Sequence, residues 1–387
     1  MPALDVPQPE FMDDEEIAIF ADAVGKFYQQ HAPEKRVLEW RKNGQVERDF
    51  WREAGQAGLL GVSVPVEYGG HGGDFRHDMV VIDQQAKHGV EGFAASLHNT
   101  VILPYIIRHG TEEQKKKYLP KLVTGELVSA IAMTEPGVGS DLQSVTTTAL
   151  KDGNGYRING VKTYISNGQT ADLIIIVAKT DPNERAKGIS LMLLETEGAE
   201  GFQRGKKLDK IGLDASDTSE LFFDDVFVPA ENVLGGVEGK GFYQLMGELP
   251  QERLIIAMGA MTGIEKALET TLEYVKSRKA FGQTIWDFQN TQFVMADLKA
   301  RATAAKIFVN DCIARHLKRE LDVATACMAK YWVTELQGEV VDKCLQFHGG
   351  AGFINDYPIA RMYRDSRITR IFGGSNEVMK MVIARSM

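Results

Sequence analysis

The segment Leu249-Pro-Gln-Glu-Arg-Leu254 sets a carboxylate, Glu252, beside a guanidinium, Arg253, among apolar neighbours. A glutamate buried against an apolar ligand loses hydration, so its pKa climbs towards neutrality, where a base for a weakly acidic C–H belongs. The same residue also reads as an acid in the first turn after Pro250, which would favour a helix dipole. Far upstream, Ile131-Ala-Met-Thr-Glu-Pro-Gly-Val-Gly-Ser-Asp141 passes from apolar to polar to glycine-rich. It can lay backbone NH groups and a hydroxyl along the edge of a ligand before turning back at Gly137 and Gly139. Within it, Glu135 and Asp141 follow and end a turn, where carboxylates cap free NH groups. Three downstream segments complete the set: Arg278-Lys-Ala-Phe-Gly282, Gln346-Phe-His-Gly-Gly350 and Ile371-Phe-Gly-Gly-Ser-Asn-Glu377. His348 before two glycines could imitate an esterase oxyanion loop, but the chain contains no Gly-x-Ser-x-Gly. Gly137-Val-Gly-Ser-Asp-Leu142 lacks the third glycine of a dinucleotide fingerprint.

In order and spacing these segments resemble the acyl-CoA dehydrogenases, from about Asp13 to the C-terminus. The resemblance implies FAD-dependent conversion of a saturated acyl-CoA to its trans-2-enoyl form, with electrons passed to an electron-transfer flavoprotein. It is densest from Glu248 onward and is nearest to the long-chain branch. It implies that Met133, Thr134 and Ser140 line the flavin and its pyrophosphate, while Tyr164 and Ser166 cover the other side of the ring; many relatives carry tryptophan at the Tyr164 position. It further implies that Arg278, Phe281, Gln289, Gln346 and Gly350 reach the cofactor from a neighbouring subunit, as do Ser375 and Glu377 near its adenosine end. The protein would then be a homo-oligomer, a dimer or a tetramer. In much of the family the base is a glutamate in the C-terminal loop, where this chain has Gly373. The long-chain and isovaleryl branches place it on a helix, in a segment matching Glu252. Gly373 keeps the backbone NH that would polarise the thioester carbonyl, and Ser140, Arg253, Phe372 and Gly373 match positions that contact the substrate. Two alternatives stay open: a flavin monooxygenase or oxidase on the same fold, and a non-catalytic flavin-binding scaffold.

The elements that must hold these residues are legible in outline. With 387 residues, 44% of them hydrophobic, the chain can build a large core or several subdomains. Apolar spacing of three and four from Asp14 to about Leu127 predicts an all-helical region, with Thr111-Glu-Glu-Gln114 as a capping box. Thr146–Leu150 and Tyr156–Asn159 flank the hairpin signal Asp152-Gly-Asn-Gly155, and strands are expected over 172–178, 189–194 and 221–228. After Gly239 the stripe Leu254, Met258, Met261, Ile264, Leu268, Leu272 and Val275 restores the helical period. The reading is an α+β protein: a helical domain over 1–128, a β-domain over 129–236 and a four-helix bundle over 237–387.

Composition excludes other classes. Forty-four Lys and Arg against 53 Asp and Glu leave a net charge of −9 with no basic stripe, which disfavours nucleic acid or an anionic membrane as partner. Cys312, Cys327 and Cys344 lack metal-site spacing and read as buried small hydrophobes; no metal is expected. The segment Met1–Glu10 shows no targeting signal and no uncharged run is long enough to span a bilayer, so a cytoplasmic location is expected.

Overall fold

Six helices build the N-terminal region: α1 (Glu15–His31), α2 (Glu34–Asn43), α3 (Arg48–Gln56), α4 (Phe75–Lys87), α5 (Leu103–His109) and α6 (Glu112–Val123). The computed structural model describes residues 3–387; Met1 and Pro2, at the head of the segment read for targeting, lie outside the described residues. Polar side chains start several of these helices. Thr111 and Gln114 form the expected capping box on α6, and Asp14 accepts from the Glu16 NH at α1. Aromatic residues Trp40, Phe50, Trp51 and Phe93 fill the space between them. A π-helical turn, Leu97–Ile102, runs directly into α5, a local widening often found beside functional sites.

The middle of the chain is one seven-stranded sheet made of β1 (Ser129–Ala132), β2 (Thr148–Asp152), β3 (Gly155–Ser166), β4 (Leu173–Lys179), β5 (Ile189–Glu195), β6 (Phe202–Lys207) and β7 (Thr218–Pro229). The order is β1-β4-β2-β3-β7-β6, with β5 on β4. The β2–β3 hairpin turns at Gly153-Asn154 as its sequence predicts. Leu173 to Ala178 are all buried, so β4 reads as an unbroken apolar run. Two strands escaped the pattern: β1 is only four residues long, and β6 is an edge strand whose exposed residues show no apolar alternation.

The chain then forms α7 (Gly241–Ser277), a short hairpin of β8 (Lys279–Ala280) and β9 (Gln283–Thr284), α8 (Gln289–Leu317), α9 (Val323–His348), α10 (Pro358–Ser366) and α11 (Asn376–Arg385). Six of the seven predicted stripe residues of α7 are buried and Leu272 is partly so, packed mainly on α9. Short α11 lies on α9 as a fourth member. One reading is overturned. Pro250 does not open a helix: α7 begins at Gly241 and carries the proline inside it. Glu252 therefore sits about three turns in, beyond the first turn in which a helix dipole acts.

Candidate active site

Depth in the helix changes what Glu252 can do. Its side chain is buried, and Oε1 accepts a hydrogen bond from the Tyr105 hydroxyl of α5 at 2.8 Å. Burial pushes its pKa up to about 7; Tyr105 and Arg253 pull it back, while Glu248 adds to the rise. Glu248, one turn earlier, is itself compensated by Arg108 and by His109 Nε2 at 3.0 Å. Gln251 accepts from Arg108 at 2.7 Å and donates to the Thr100 carbonyl in the π-turn at 2.7 Å. The stretch of α7 just before the carboxylate is thus tied by polar groups to α5 and to the π-turn.

Arg253 points to the other side, towards α9, where its Nη1 donates to the sulfur of buried Cys327 at 3.2 Å. Its Nε is buried without a partner among the described residues, so the guanidinium keeps donor capacity for a further group.

The loop before α11 lies against the same stretch of α7. A Cβ built on Gly373 would run into Cδ1 of Ile256, the residue one turn beyond Glu252. Gly373 has φ +63° and Gly374 φ +91°, a region that favours glycine. Lys330, wholly buried in α9, fastens this loop by donating to the Gly374 carbonyl at 2.7 Å and to Asn376 Oδ1 at 2.9 Å. Phe372 beside it is exposed. The structure therefore brings Glu252, Ile256 and Gly373 to one place, and a glycine there leaves room for the isoleucine.

The residues expected at the cofactor fall into two groups. Met133 and Thr134 follow β1 and are stitched to β3: the Thr134 carbonyl accepts from the Thr163 NH at 2.9 Å, and the Met133 carbonyl accepts from Lys162 Nζ at 2.9 Å. Between Lys162 and Ile165 the β3–β7 register shifts, and at this bulge Tyr164 has φ +61° and is 68% exposed. Bulges re-aim side chains in this way. Ser166 closes β3, and Ser140 is exposed in the loop in which Gly137 and Gly139 face open space. An aromatic ring held out from the sheet beside an open glycine loop suits a flat aromatic cofactor with a phosphate tail.

The second group sits at one end of the bundle. Arg278 caps α7 through its NH to the Tyr274 carbonyl, and the Tyr274 ring stacks on His348 with centroids 4.2 Å apart. This contact joins the last turn of α7, just before Arg278, to the end of α9 at His348, between Gln346 and Gly350 in the chain. Phe281, at the tip of the β8–β9 hairpin, is 95% exposed, and Gln289 and Gln346 are also exposed. Ser375 has a structural duty as well, capping α11 through the Val378 NH, and Glu377 lies exposed in its first turn.

Sequence reasoning missed Tyr105, Lys330 and Lys162. Lys162 is wholly buried and pairs with Glu135 at 2.9 Å; Glu135 also accepts from Thr146 N, Thr146 Oγ1 and Thr147 N. Burial alone would raise the Glu135 carboxyl, but these donors outweigh it and hold it down at about 2. The alternation of β3, with Tyr156 and Ile158 inward, was the signal that Lys162 also points inward. A cavity of about 660 Å³ lies elsewhere, between the N-terminal segment, α1, α4, α7 and α8; the polar machinery around Glu252 does not line it.

Three family models cover the chain: the acyl-CoA dehydrogenase N-terminal domain over residues 14–126, the middle domain over 130–226 and the C-terminal domain over 239–387. The chain is 47% identical to the mitochondrial long-chain specific acyl-CoA dehydrogenase of Sus scrofa, over 95% of this chain and 86% of that one. Its fold matches an acyl-CoA dehydrogenase from Geobacillus kaustophilus with a TM-score of 0.94 at 46% identity, covering 96% and 98% of the two chains. A glutaryl-CoA dehydrogenase from Mycobacterium smegmatis, solved in complex with FADH2, matches with a TM-score of 0.90 at 25% identity, covering 100% and 97%. With all three domain models in order along a chain that buries a glutamate one turn from the isoleucine that meets the glycine loop, this protein belongs to the acyl-CoA dehydrogenase family, enzymes that use FAD.

Proposed function

We propose that Glu252 is the base of this acyl-CoA dehydrogenase, taking the α-proton of a saturated acyl-CoA, and that Gly373 serves only through its backbone NH. The observation that carries the reading is the buried carboxylate at Glu252, with a pKa raised to about 7, one turn from the isoleucine that packs on Gly373. Near neutral pH such a group is partly ionised and strongly basic for a carboxylate. Bound FAD supplies the hydride acceptor for the β-carbon. The Gly373 NH would donate to the thioester oxygen as charge develops there, which makes the α-proton removable. Arg253, whose Nε has no partner among the described residues, would orient the substrate together with Ser140 and Phe372. Met133, Thr134, Ser140, Tyr164 and Ser166 would hold the cofactor from one subunit. Arg278, Phe281, Gln289, Gln346, Gly350, Ser375 and Glu377 would hold it from another, in a homodimer or homotetramer.

The remaining details belong to the same proposal. The 47% identity to a long-chain enzyme supports a long-chain acyl substrate, and an electron-transfer flavoprotein is the acceptor. The three family models support a division into 1–128, 129–236 and 237–387. Three unpaired, buried cysteines suit a reducing compartment, for which we take the cytoplasm; cell fractionation tests that. Among the described residues no helix is long and apolar enough to cross a membrane.

The decisive measurement is anaerobic stopped-flow reduction of the flavin with acyl-CoAs of graded length. Glu252→Gln keeps size and hydrogen bonding but cannot take the proton, so reduction should slow by about 10²- to 10⁴-fold while binding persists. Reduction at the parental rate would end the assignment.

A further inference from the structure

A base that must meet one carbon of a long, flexible substrate needs its carboxylate held in one orientation. In this chain the group that holds it comes from α5, outside α7. The Tyr105 hydroxyl is 2.8 Å from Glu252 Oε1, with both side chains buried. Tyr105 is immobilised in turn, wholly buried among Ile102, Leu103 and Ile106 immediately after the π-turn. Among the described residues no side chain donates to Oε2. We infer that Tyr105 is the positioning residue of the base: it anchors Oε1, leaves Oε2 to receive the α-proton and stabilises the ionised carboxylate. This rests on Glu252 being the base.

The surroundings support such a role. Burial drives the Glu252 carboxyl up, Glu248 drives it further, and the Tyr105 hydroxyl is the leading influence that brings it back. A phenol donor stabilises the carboxylate more than the acid. The other charged groups that face this spot can be separated from it. Glu248 is compensated by Arg108 and His109. His316, from α8, is held down at about 4 by burial and by Arg108, which favours its neutral form. On the α9 side, burial pushes the Cys327 thiol up, and Lys330 is brought down to about 8 by burial and by Arg253. Lys330 donates to the Gly374 carbonyl and to Asn376, so any limb it contributes to a pH profile should stay in place when Tyr105 is changed.

The test uses the FAD-loaded enzyme, with flavin content and melting temperature as checks on folding. The pH dependence of anaerobic flavin reduction is measured for the parent, Tyr105→Phe, and the chain with 3-fluorotyrosine at position 105, whose phenol is the stronger donor. The Tyr105→Phe profile should shift its rising limb to higher pH by about one to two units, losing rate at pH 7 and recovering it at high pH. The fluorotyrosine profile should move the other way. A limb that stays put, or an equal loss at every pH, overturns the inference. If Tyr105→Phe does not fold, the fluorotyrosine comparison alone decides by its direction. Glu252→Gln in parallel separates the two claims. A slow Glu252→Gln enzyme with an unmoved Tyr105→Phe profile sinks only the positioning role, whereas a Glu252→Gln enzyme at the parental rate sinks the base and the positioning role with it.

Discussion

The two ends of the site are built in opposite ways. Around Glu252 the inner side chains are buried and tied to other elements of the same chain, with Tyr105 from α5, Cys327 against Arg253 and Lys330 under the Gly374 loop, while exposed Arg108 and half-buried His109 close the rim beside Glu248. Around the expected cofactor, Tyr164, Phe281, Ser140, Gln289 and Gln346 stand exposed, and several neighbouring glycines face open space. Proton chemistry needs a dry pocket with fixed dipoles, and one chain can supply that alone. A large exposed aromatic ring on a hairpin tip is costly to leave in water, and it makes sense when another surface covers it. The contrast teaches that the base end should respond to substitutions as a protein core does, and the cofactor end as an interface.

That contrast can be broken or sharpened by a graded set of variants. The largest loss of chain stability is expected for Lys162→Met, which leaves Glu135 buried without its cation; such breaks cost about 3–5 kcal/mol, and denaturant unfolding would measure it. Flavin retention should fall too, because Lys162 also holds the Met133 carbonyl. A smaller effect of opposite sign belongs to Glu252→Gln. The folded-state pKa of Glu252 is raised from 4.5 to about 7, so between those values the unfolded chain binds fewer protons than the folded one, and parental stability falls as pH rises. The variant should therefore be more stable than the parent by about 3 kcal/mol above pH 7, with the gap closing below pH 4.5. Melting curves at pH 4.5 and 8 would show it, and a gap independent of pH would contradict the buried base.

Gly373→Glu should cost about 1–2 kcal/mol for a side chain at positive φ, plus the collision with Ile256. Adding Ile256→Ala should relieve the collision. In the Glu252→Gln background the pair should then recover part of the rate of flavin reduction; no recovery would mean that the two positions do not face the same carbon. The smallest effect on the chain itself belongs to Phe281→Ser, within about 0.5 kcal/mol because the ring contributes little to the fold. Sedimentation and flavin content should nonetheless show weakened assembly and lost cofactor. An unchanged oligomer with full flavin would break the comparison.

Local patterns carried most of the fold. The period of α7, the Thr111 capping box, the Gly153-Asn154 turn and the apolar run of β4 are short-range features, and each was legible because hydrophobic spacing and turn chemistry act within a few residues. The resemblance of the motifs to a family also pointed to Glu252 and Gly373. What the residues alone left undecided was whether Glu252 served a helix dipole or a reaction. That depended on where α7 begins, since Pro250 is compatible with a first turn as well as with an interior position held by packing. The tertiary structure removed the dipole role by starting the helix at Gly241, and it buried the carboxylate under Tyr105, 147 positions away in sequence. Lys162 on Glu135 and Lys330 on the Gly374 carbonyl are likewise partners from distant segments. Sequence determines which groups are available and their local geometry; only the packed chain decides which lose water and which partner compensates them, and those two choices set the pKa of the Glu252 carboxyl.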